Sequence, residues 1–395
     1  MIDAHGGREV FGDGTGETYA IKLHDDRVPR ELIRHPAVRF GELYASERWS
    51  VVEGDLVGLL KLVFENMAKS PTPGWRQALS LSLRYFKQNN TAVRARRNAQ
   101  HHYDVGNDIY AEFLDEDWQY SCAYFAEPGI SLEEAQLRKK RHIAAKMLLE
   151  PGQRVLDIGC GWGGMALYLA DHLGVDVTGI SLAERQVERA KMRAGGRPDV
   201  RFLLKDYRAI DDTFDRIVSV GMFEHVGIGF FREYFDTCRR LMSDDGVMVL
   251  HSIGRIGPPG ITAPFIDKYI FPGGYIPSLS EVLPVIEASG LIVTDIEIWR
   301  LHYAETLAEW RKRFNNRRSS VVGQMGERFF LIWDFYLAAS EAAFRAADLM
   351  VFQIQLSKRL DTVPLTRDYI GAVEAALATR DSGKSAGPAL VAQRQ

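Results

Sequence analysis

Apolar and polar positions alternate regularly over the middle of the chain, from about residue 130 to residue 250. Short, nearly continuous apolar runs are separated by longer stretches in which apolar residues recur at helical spacing. The apolar runs predict five strands: Arg154–Ile158, Val175–Ile180, Val200–Leu204, Phe214–Val220 and Gly246–Leu250. Such strands, alternating with helices, are typical of a parallel, doubly wound sheet that is covered on both faces. The pattern therefore predicts an α/β fold.

Helix boundaries in the same region follow from capping residues. Two segments of the form Ser-Leu-x-Glu, at residues 131–134 and 181–184, are capping boxes that predict helix starts. The first of these helices is predicted to run to Leu149, and two others to cover Met165–Leu173 and Phe230–Met242.

Charge divides the chain into regions. Between Asn66 and Tyr103 there is no acidic residue, whereas seven Lys and Arg residues occur there, Arg94, Arg96 and Arg97 among them. The stretch is either a solvated linker or a surface for anionic head groups, to which each basic side chain near a membrane contributes about 1 kcal/mol. We predict a small N-terminal domain for lipid binding or dimerisation over residues 1–80 and a basic linker over 81–100. A catalytic domain over 101–380 and a disordered tail over 381–395 complete the prediction.

Composition narrows the classes of function and location. The net charge is −3, from 49 basic and 52 acidic residues, which argues against a general nucleic-acid binder. The three cysteines are far apart, which excludes a disulfide scaffold and a cysteine zinc cluster. The N-terminus lacks the order of a signal peptide, and no apolar run approaches the roughly 18 residues of a membrane span. We therefore expect a soluble, cytoplasmic protein with no metal site.

A glycine-rich turn follows the first predicted strand. It reads Asp157-Ile158-Gly159-Cys160-Gly161-Trp162-Gly163-Gly164 and opens a helix, so a ligand can lie against its backbone. The spacing differs from that of dinucleotide sites, and no acid closes the second strand. Asp-x-Gly-x-Gly instead resembles the S-adenosylmethionine (AdoMet) loop of Rossmann-like methyltransferases. Polar residues also end the later strands, which in a parallel sheet share one edge: Ser181, Asp206-Tyr207, Glu224-His225 and His251.

An ordered series of motifs resembles the cyclopropane-fatty-acid synthase family, which is related to the mycolic acid methyltransferases. Besides the glycine-rich turn, the series comprises residues 102–108, 120–125, 221–227, 268–274 and 344–348. The resemblance covers about residues 100–360, while the first 80 residues loosely resemble the small N-terminal domain of the long bacterial synthases. It implies a Rossmann-like AdoMet methyltransferase sheet with helical insertions and a small N-terminal domain.

The resemblance also implies site residues. An AdoMet site would use Tyr120, Ser121, Asp157, Gly159, Cys160, Gly161, Gly163, Gly164, Ser181, Leu182, Gln186, Asp206 and Tyr207. A bicarbonate, acting as the base, would be held by Cys122, Glu224, His251, the backbone of Ile253, and Tyr303, and the catalytic residues would be Glu224, His251, Tyr303 and Cys122.

Several of these residues have a structural alternative. Cys122 could be a small buried hydrophobe, and the thiols of Cys160 and Cys238 are expected to pack. His225 is expected to point away from Glu224, as a structural histidine, if its strand continues. Ser340 stands where some synthases carry a cysteine, so no thiol nucleophile is needed there.

The chemistry explains the residue types. Methyl transfer from the AdoMet sulfonium to an alkene leaves a carbocation, which needs a dry pocket with aromatic faces. A set of six rings could supply it: Tyr124, Phe125, Phe223, Tyr269, Phe271 and Tyr275. We therefore expect an enzyme that forms cyclopropane rings on unsaturated phospholipid acyl chains and is bound peripherally to the inner membrane, with a homodimer as one option for its assembly. The alternatives are a methyl- or methylene-branched product or a furan precursor on the same scaffold, and a non-catalytic lipid- or AdoMet-binding protein.

Overall fold

The computed structural model describes residues 1–68 and 106–382. The predicted linker over 81–100 and the arginines at positions 94, 96 and 97 lie outside the described residues, as does the tail from residue 383. Among the described residues, no helix is both long and apolar enough to cross a membrane.

A seven-stranded sheet forms the centre of the described chain, in the order β5-β4-β3-β6-β7-β9-β8. The strands are β3 (Arg154–Ile158), β4 (Asp176–Ser181), β5 (Val200–Leu204), β6 (Phe214–Val220), β7 (Met242–Arg255), β8 (Ile292–Trp299) and β9 (Leu349–Ser357). Strands β3 to β7 are parallel, and β9 runs antiparallel to both β7 and β8. The prediction of a parallel α/β sheet is confirmed, and β7 extends five residues beyond its predicted end at Leu250.

Six helices flank the sheet. They are α5 (Leu132–Lys146), α6 (Gly164–Leu173), α7 (Glu184–Ala194), α8 (Phe231–Leu241), α10 (Leu279–Ser289) and α14 (Asp368–Asp381). The capping box at residue 131 is confirmed, because the Ser131 hydroxyl accepts a hydrogen bond from the Glu134 N–H at 3.2 Å. The capping box at residue 181 is wrong: Ala183 is the N-cap, and the Ser181 hydroxyl donates to Gln186 Oε1 at 3.1 Å.

The N-terminal region contains β1 (Ala20–Leu23), α1 (Val28–Arg34), α2 (Pro36–Ala45), β2 (Trp49–Glu53) and α3 (Leu56–Ala68), with β1 and β2 paired antiparallel. The remaining helices are α4 (Asn107–Ala111), α9 (Pro264–Tyr269), α11 (His302–Asn316), α12 (Arg318–Met325) and α13 (Glu327–Ala346). Helices α2 and α3 pack on α13, and Trp49 and Phe335 belong to one buried cluster. The N-terminal region therefore shares a hydrophobic core with the helices of the predicted catalytic domain.

Helix α14 enters the segment that was predicted to be a disordered tail. Its last residue, Asp381, is an ion-pair partner of Arg141 and lies 3.3 Å from the His172 ring nitrogen. The prediction of disorder is wrong for Asp381, because these partners hold its carboxylate against α5 and α6.

Candidate active site

A cavity lies where the strands β3, β4, β5 and β6 end. Of the thirteen residues predicted to bind AdoMet, eleven line it: Tyr120, Ser121, Asp157, Gly159, Cys160, Gly161, Ser181, Leu182, Gln186, Asp206 and Tyr207. The carboxyl ends of parallel strands form the usual ligand site of an open α/β sheet. The fold thus brings these residues together from four parts of the sequence.

The glycines of the turn after β3 have two different roles. Gly161 has φ +53° and no atom within 4 Å of where a Cβ would stand, so its backbone faces open space. A Cβ on Gly163 would lie 2.6 Å from Phe202 Cζ, and one on Gly164 would lie 2.2 Å from Gln119 Nε2. Gly163 and Gly164 are not among the residues lining the cavity. Their predicted contact with the ligand is corrected to a packing role, because both are glycine so that neighbouring side chains can approach the turn.

Asp157 supplies the cavity with a hydrogen-bond acceptor. The residue is 2% exposed, and its Oδ2 is buried with no hydrogen-bond partner in the described part of the chain. Burial raises the pKa of Asp157 to about 7, which the nearby charge of Lys139 partly opposes. An unsatisfied buried carboxylate oxygen is costly unless a ligand completes it. This acceptor and the open backbone at Gly161 fit the ammonium group and the polar body of AdoMet.

The far side of the cavity is polar but carries no acid at the end of β4. Ser181 and Gln186 are hydrogen-bonded to each other. The Asp206 carboxylate accepts two hydrogen bonds from the Arg208 guanidinium, at 2.9 and 2.7 Å. Tyr207 follows, with its ring edge-on to that of Tyr234. The polar groups at the end of β4 are therefore those of Ser181 and Gln186, and no acid follows this strand directly.

His225 lines the cavity, contrary to the prediction that it points away. Strand β6 ends at Val220, and a 3₁₀ turn over Phe223–His225 follows, so the alternation of a strand no longer applies. The ring centroid of His225 lies 5.7 Å from that of Phe271. Burial lowers the pKa of His225 to about 4, so the imidazole is neutral at physiological pH.

Glu224 lies behind the cavity rather than in its lining. Its Oε1 accepts a hydrogen bond from the backbone N–H of Ile253 at 2.7 Å, so this N–H, which was predicted to hold bicarbonate, is directed at Glu224. The other oxygen, Oε2, is buried and has no hydrogen-bond partner among residues 1–68 and 106–382. Burial raises the pKa of Glu224 to about 7. The Ser252 side chain also interacts with the carboxyl group and partly opposes this shift. One oxygen of Glu224 is therefore anchored by the Ile253 N–H, and Oε2 is the oxygen without a hydrogen bond in the described chain.

His251 is buried and lies two residues before Ile253 on β7. Its Nδ1 lies 3.1 Å from the Gln353 amide nitrogen, and its ring is edge-on to Trp299. Burial lowers the pKa of His251. With the Gln353 amide donating to Nδ1, the proton of the neutral ring is on Nε2, which can donate to an anion.

Tyr303 lies on α11, and the residue after Cys122 is hydrogen-bonded to the same helix. The Ala123 N–H donates to Thr306 Oγ1 at 3.0 Å, and the Tyr303 ring packs against Phe344. Cys122 is fully buried, and burial raises its pKa, which keeps the thiol protonated. The thiol is therefore a poor nucleophile, and its predicted contact with bicarbonate stays a prediction.

The six predicted rings do not surround one pocket. Phe271 lies near the cavity, with its centroid 6.5 Å from that of Tyr120. Phe223 stacks on Phe231, and both belong with Tyr275 to a separate core cluster beneath the sheet edge. Phe223 and Tyr275 are thus core residues, which corrects the expectation that they face a cation.

Comparisons with known proteins agree with this architecture. Residues 90–354 match the family model described as mycolic acid cyclopropane synthetase. The chain belongs to this family. Members of the family are AdoMet-dependent methyltransferases, and this family member is an enzyme of that class.

Relatives of this chain include bacterial enzymes that match it over most of their own length. It is 40% identical over 341 residues to a cyclopropane-fatty-acyl-phospholipid synthase of Escherichia coli K12, covering 86% of this chain and 88% of that protein. It is 35% identical over 372 residues to a tuberculostearic acid methyltransferase of Mycobacterium tuberculosis, covering 88% and 86%. The structure is similar to that of a mycolic acid cyclopropane synthase in complex with SAH and CTAB. The TM-score is 0.62, the identity 32%, and the match covers 66% of this chain and 97% of that one.

Several cavity residues of this family member were not predicted from the sequence. Trp118 and Gln119 immediately precede the predicted Tyr120-Ser121 pair, and Lys205 precedes Asp206. Adjacency to a predicted residue was the available signal for these three. Pro272 and Gly273 also line the cavity, and they lie within the 268–274 motif that was used only for the resemblance.

Proposed function

We propose that this enzyme transfers a methyl group from AdoMet to the double bond of an unsaturated acyl chain in a membrane phospholipid and closes a cyclopropane ring, with bicarbonate as base. One observation carries the proposal: the cavity that is lined by eleven of the residues predicted to bind AdoMet lies next to Glu224, whose Oε2 is buried without a hydrogen-bond partner in the described chain. The two parts match the two chemical needs of ring closure, an alkylating group and a place for a base.

When bound, AdoMet supplies an electrophilic methyl group. Formation of the new C–C bond breaks the C–S bond and leaves a positive charge on the former alkene. Ring closure then requires removal of one proton from the transferred carbon. Asp157 would hold the cationic end of AdoMet through its available oxygen. The neutral ring of His225 adds no charge to the cavity.

Glu224, His251 and Tyr303 would hold the bicarbonate. The free oxygen of Glu224 would accept the bicarbonate O–H, and His251 Nε2 and the Tyr303 hydroxyl would donate to its other oxygens. An anion held in this way can take a proton in an apolar pocket without a charged side chain reaching the acyl chain.

We also propose that the enzyme acts at the surface of the inner membrane, with the basic residues outside the described chain attracting anionic head groups. Reversal of arginines 94, 96 and 97 to glutamate should weaken co-sedimentation with anionic vesicles, and added salt should weaken wild-type binding. Equal co-sedimentation of both proteins at low salt would show that the stretch is only a linker. Dimerisation stays a prediction.

The test of the reaction uses the full chain, vesicles of an unsaturated phospholipid, bicarbonate and AdoMet with a trideuterated methyl group. Ring closure should add a CD₂ unit to the acyl chain and give a product that resists ozonolysis. A methylene-branched product also gains CD₂ but is cleaved by ozone, and a product that retains CD₃ contradicts ring closure. Absence of any transfer would support the non-catalytic alternative.

A second product class has one specific observation in its favour. The tuberculostearic acid methyltransferase covers as much of this chain as the cyclopropane synthase does. Methyl transfer without ring closure is therefore the second candidate. In the same experiment, the deuterium count identifies a product that retains CD₃, and ozonolysis identifies a methylene-branched product.

A further inference from the structure

A buried lysine lies behind one wall of the AdoMet cavity. Residues 118–121, here named the wall segment, form neither helix nor strand, and all four line the cavity. Lys139, on α5, is 1% exposed, and its Nζ donates to Gln119 Oε1 at 2.7 Å and to Ser121 Oγ at 2.8 Å. Both acceptors belong to the wall segment, on either side of Tyr120.

A second side chain of the same helix supports the wall segment through its backbone. Gln136, one turn before Lys139, donates from Nε2 to the carbonyl oxygens of Gln119 at 3.3 Å and of Ser121 at 3.0 Å. On the opposite side, the Tyr120 hydroxyl lies 2.9 Å from that of Tyr336. The wall segment has no helical or strand hydrogen bonds of its own, so its conformation depends on these side chains and on Asp115. The Asp115 carbonyl accepts from the Trp118 N–H at 2.9 Å, and Asp115 Oδ1 accepts from the Gln119 N–H at 2.7 Å.

The charge of Lys139 also acts on the floor of the cavity. Among the charged groups of residues 1–68 and 106–382, Lys139 is the one that acts on the pKa of Asp157, and it lowers this pKa against the larger effect of burial. Burial lowers the pKa of Lys139 to about 8; Lys140 lowers it as well, and the carboxylates of Asp115 and Asp117 oppose the shift. A buried ammonium group is expensive to maintain without partners. The cost of burying the Lys139 ammonium group is offset here by its hydrogen bonds to Gln119 and Ser121, two residues that line the cavity.

We infer that Lys139 is a positioning residue for AdoMet: its ammonium group fixes Gln119 and Ser121 in the cavity wall, and its positive charge acts on the carboxyl group of Asp157 in the cavity floor. The inference rests on the proposed function, since it assigns a role within the AdoMet site. Lys139 does not line the cavity, so it acts through the wall segment and through its field.

The experiment measures AdoMet dissociation constants by calorimetry between pH 5.5 and pH 8 for the full chain and three variants. Lys139→Met should weaken binding by about tenfold or more. It should also move the midpoint of the affinity–pH curve upward, because the Asp157 pKa rises when the neighbouring positive charge is lost. Lys139→Gln retains an uncharged donor, so it should recover part of the affinity while its midpoint stays raised. Arg138→Met removes a charge from the adjacent, outward-facing position of α5 and should change neither quantity.

The outcomes separate the inference from the function on which it rests. If the wild-type protein does not bind AdoMet, the proposed function fails. If the wild type binds and both lysine variants show the wild-type affinity and pH midpoint, the positioning role of Lys139 is overturned. Weaker binding with an unmoved midpoint overturns the part of the inference that concerns Asp157. If Lys139→Met does not fold, Lys139→Gln carries the test alone.

Discussion

Replacing Glu224 by glutamine changes one oxygen of the proposed base site and little else. The side-chain oxygen of glutamine can still accept the hydrogen bond from the Ile253 N–H, which is 2.7 Å from Glu224 Oε1. The amide nitrogen then replaces Oε2, the buried oxygen without a partner in the described structure. A donor thus replaces an acceptor at the position where the O–H of bicarbonate would bind, and the anion can no longer be oriented in the same way.

The expected loss of turnover follows from the role of a positioned base. General-base catalysis contributes roughly 10²- to 10⁴-fold, so Glu224→Gln should lower kcat by about a hundredfold, which is about 2.7 kcal/mol in activation free energy. The pH profile should change as well. Since the pKa of Glu224 is raised to about 7 and the carboxylate is the active form, wild-type kcat should rise with pH through about 7, and this limb should be absent in the variant.

The assay combines turnover on unsaturated phospholipid vesicles with a separate measurement of AdoMet binding. AdoMet affinity should be unchanged, because Glu224 does not line the cavity. Glu341→Gln is a matched control, since Glu341 is also buried with a raised pKa but pairs with Arg345 on α13. Wild-type turnover in Glu224→Gln, or a loss of AdoMet affinity equal to the loss of turnover, would refute the assignment of the base site.

Three further changes test other contacts. Gly161→Val should weaken AdoMet binding about a hundredfold, because at φ +53° its side chain would enter the open space of the cavity; unchanged affinity by calorimetry contradicts the cofactor site. Asp157→Asn should raise the thermal midpoint more at pH 8 than at pH 5. The carboxyl has a folded-state pKa of about 7, above its unfolded value, so the stability it contributes at low pH is lost as pH rises through 7; equal midpoint shifts at the two pH values contradict this. Glu42→Ala should cost about 1–3 kcal/mol of unfolding free energy, because Lys268 Nζ and the Tyr269 hydroxyl both donate to its Oε1; an unchanged urea midpoint contradicts it.

Strands buried on both faces could be predicted from the sequence because their apolar runs are nearly continuous. Phe214–Val220 was located to the residue for this reason. Strand β8 could not be found in the same way, since Ile292–Trp299 is half-buried and alternates with charged residues. Strand β9 contains Gln353 and Gln355, whose buried amides bind His251 and the Lys146 carbonyl. Such polar residues resemble those of an exposed strand until their partners are known.

The residues behind the cavity were harder to predict than those lining it. Lys139 belongs to the run Lys139-Lys140-Arg141, which in a sequence resembles the solvated face of a helix. Its burial depends on the wall segment, about twenty residues earlier in the chain, folding over α5. The error for His225 has a related cause, because its direction depends on where β6 ends, and the local pattern did not fix that point.

The turn after β6 places the proposed base site next to the AdoMet cavity. Gly221 and Gly227, with φ of +66° and +83°, let the chain leave and resume regular structure within a few residues. The turn is held from two sides, since the Gly221 N–H donates to the His251 carbonyl at 2.9 Å and the Tyr275 N–H donates to the Glu224 carbonyl at 2.8 Å. Consecutive side chains then diverge: that of residue 225 lines the AdoMet cavity, and that of residue 224 is anchored behind it. A base held by Glu224 would therefore lie close to the AdoMet cavity, because the next residue in the chain lines that cavity. A change in the turn would disturb the AdoMet cavity and the base site together.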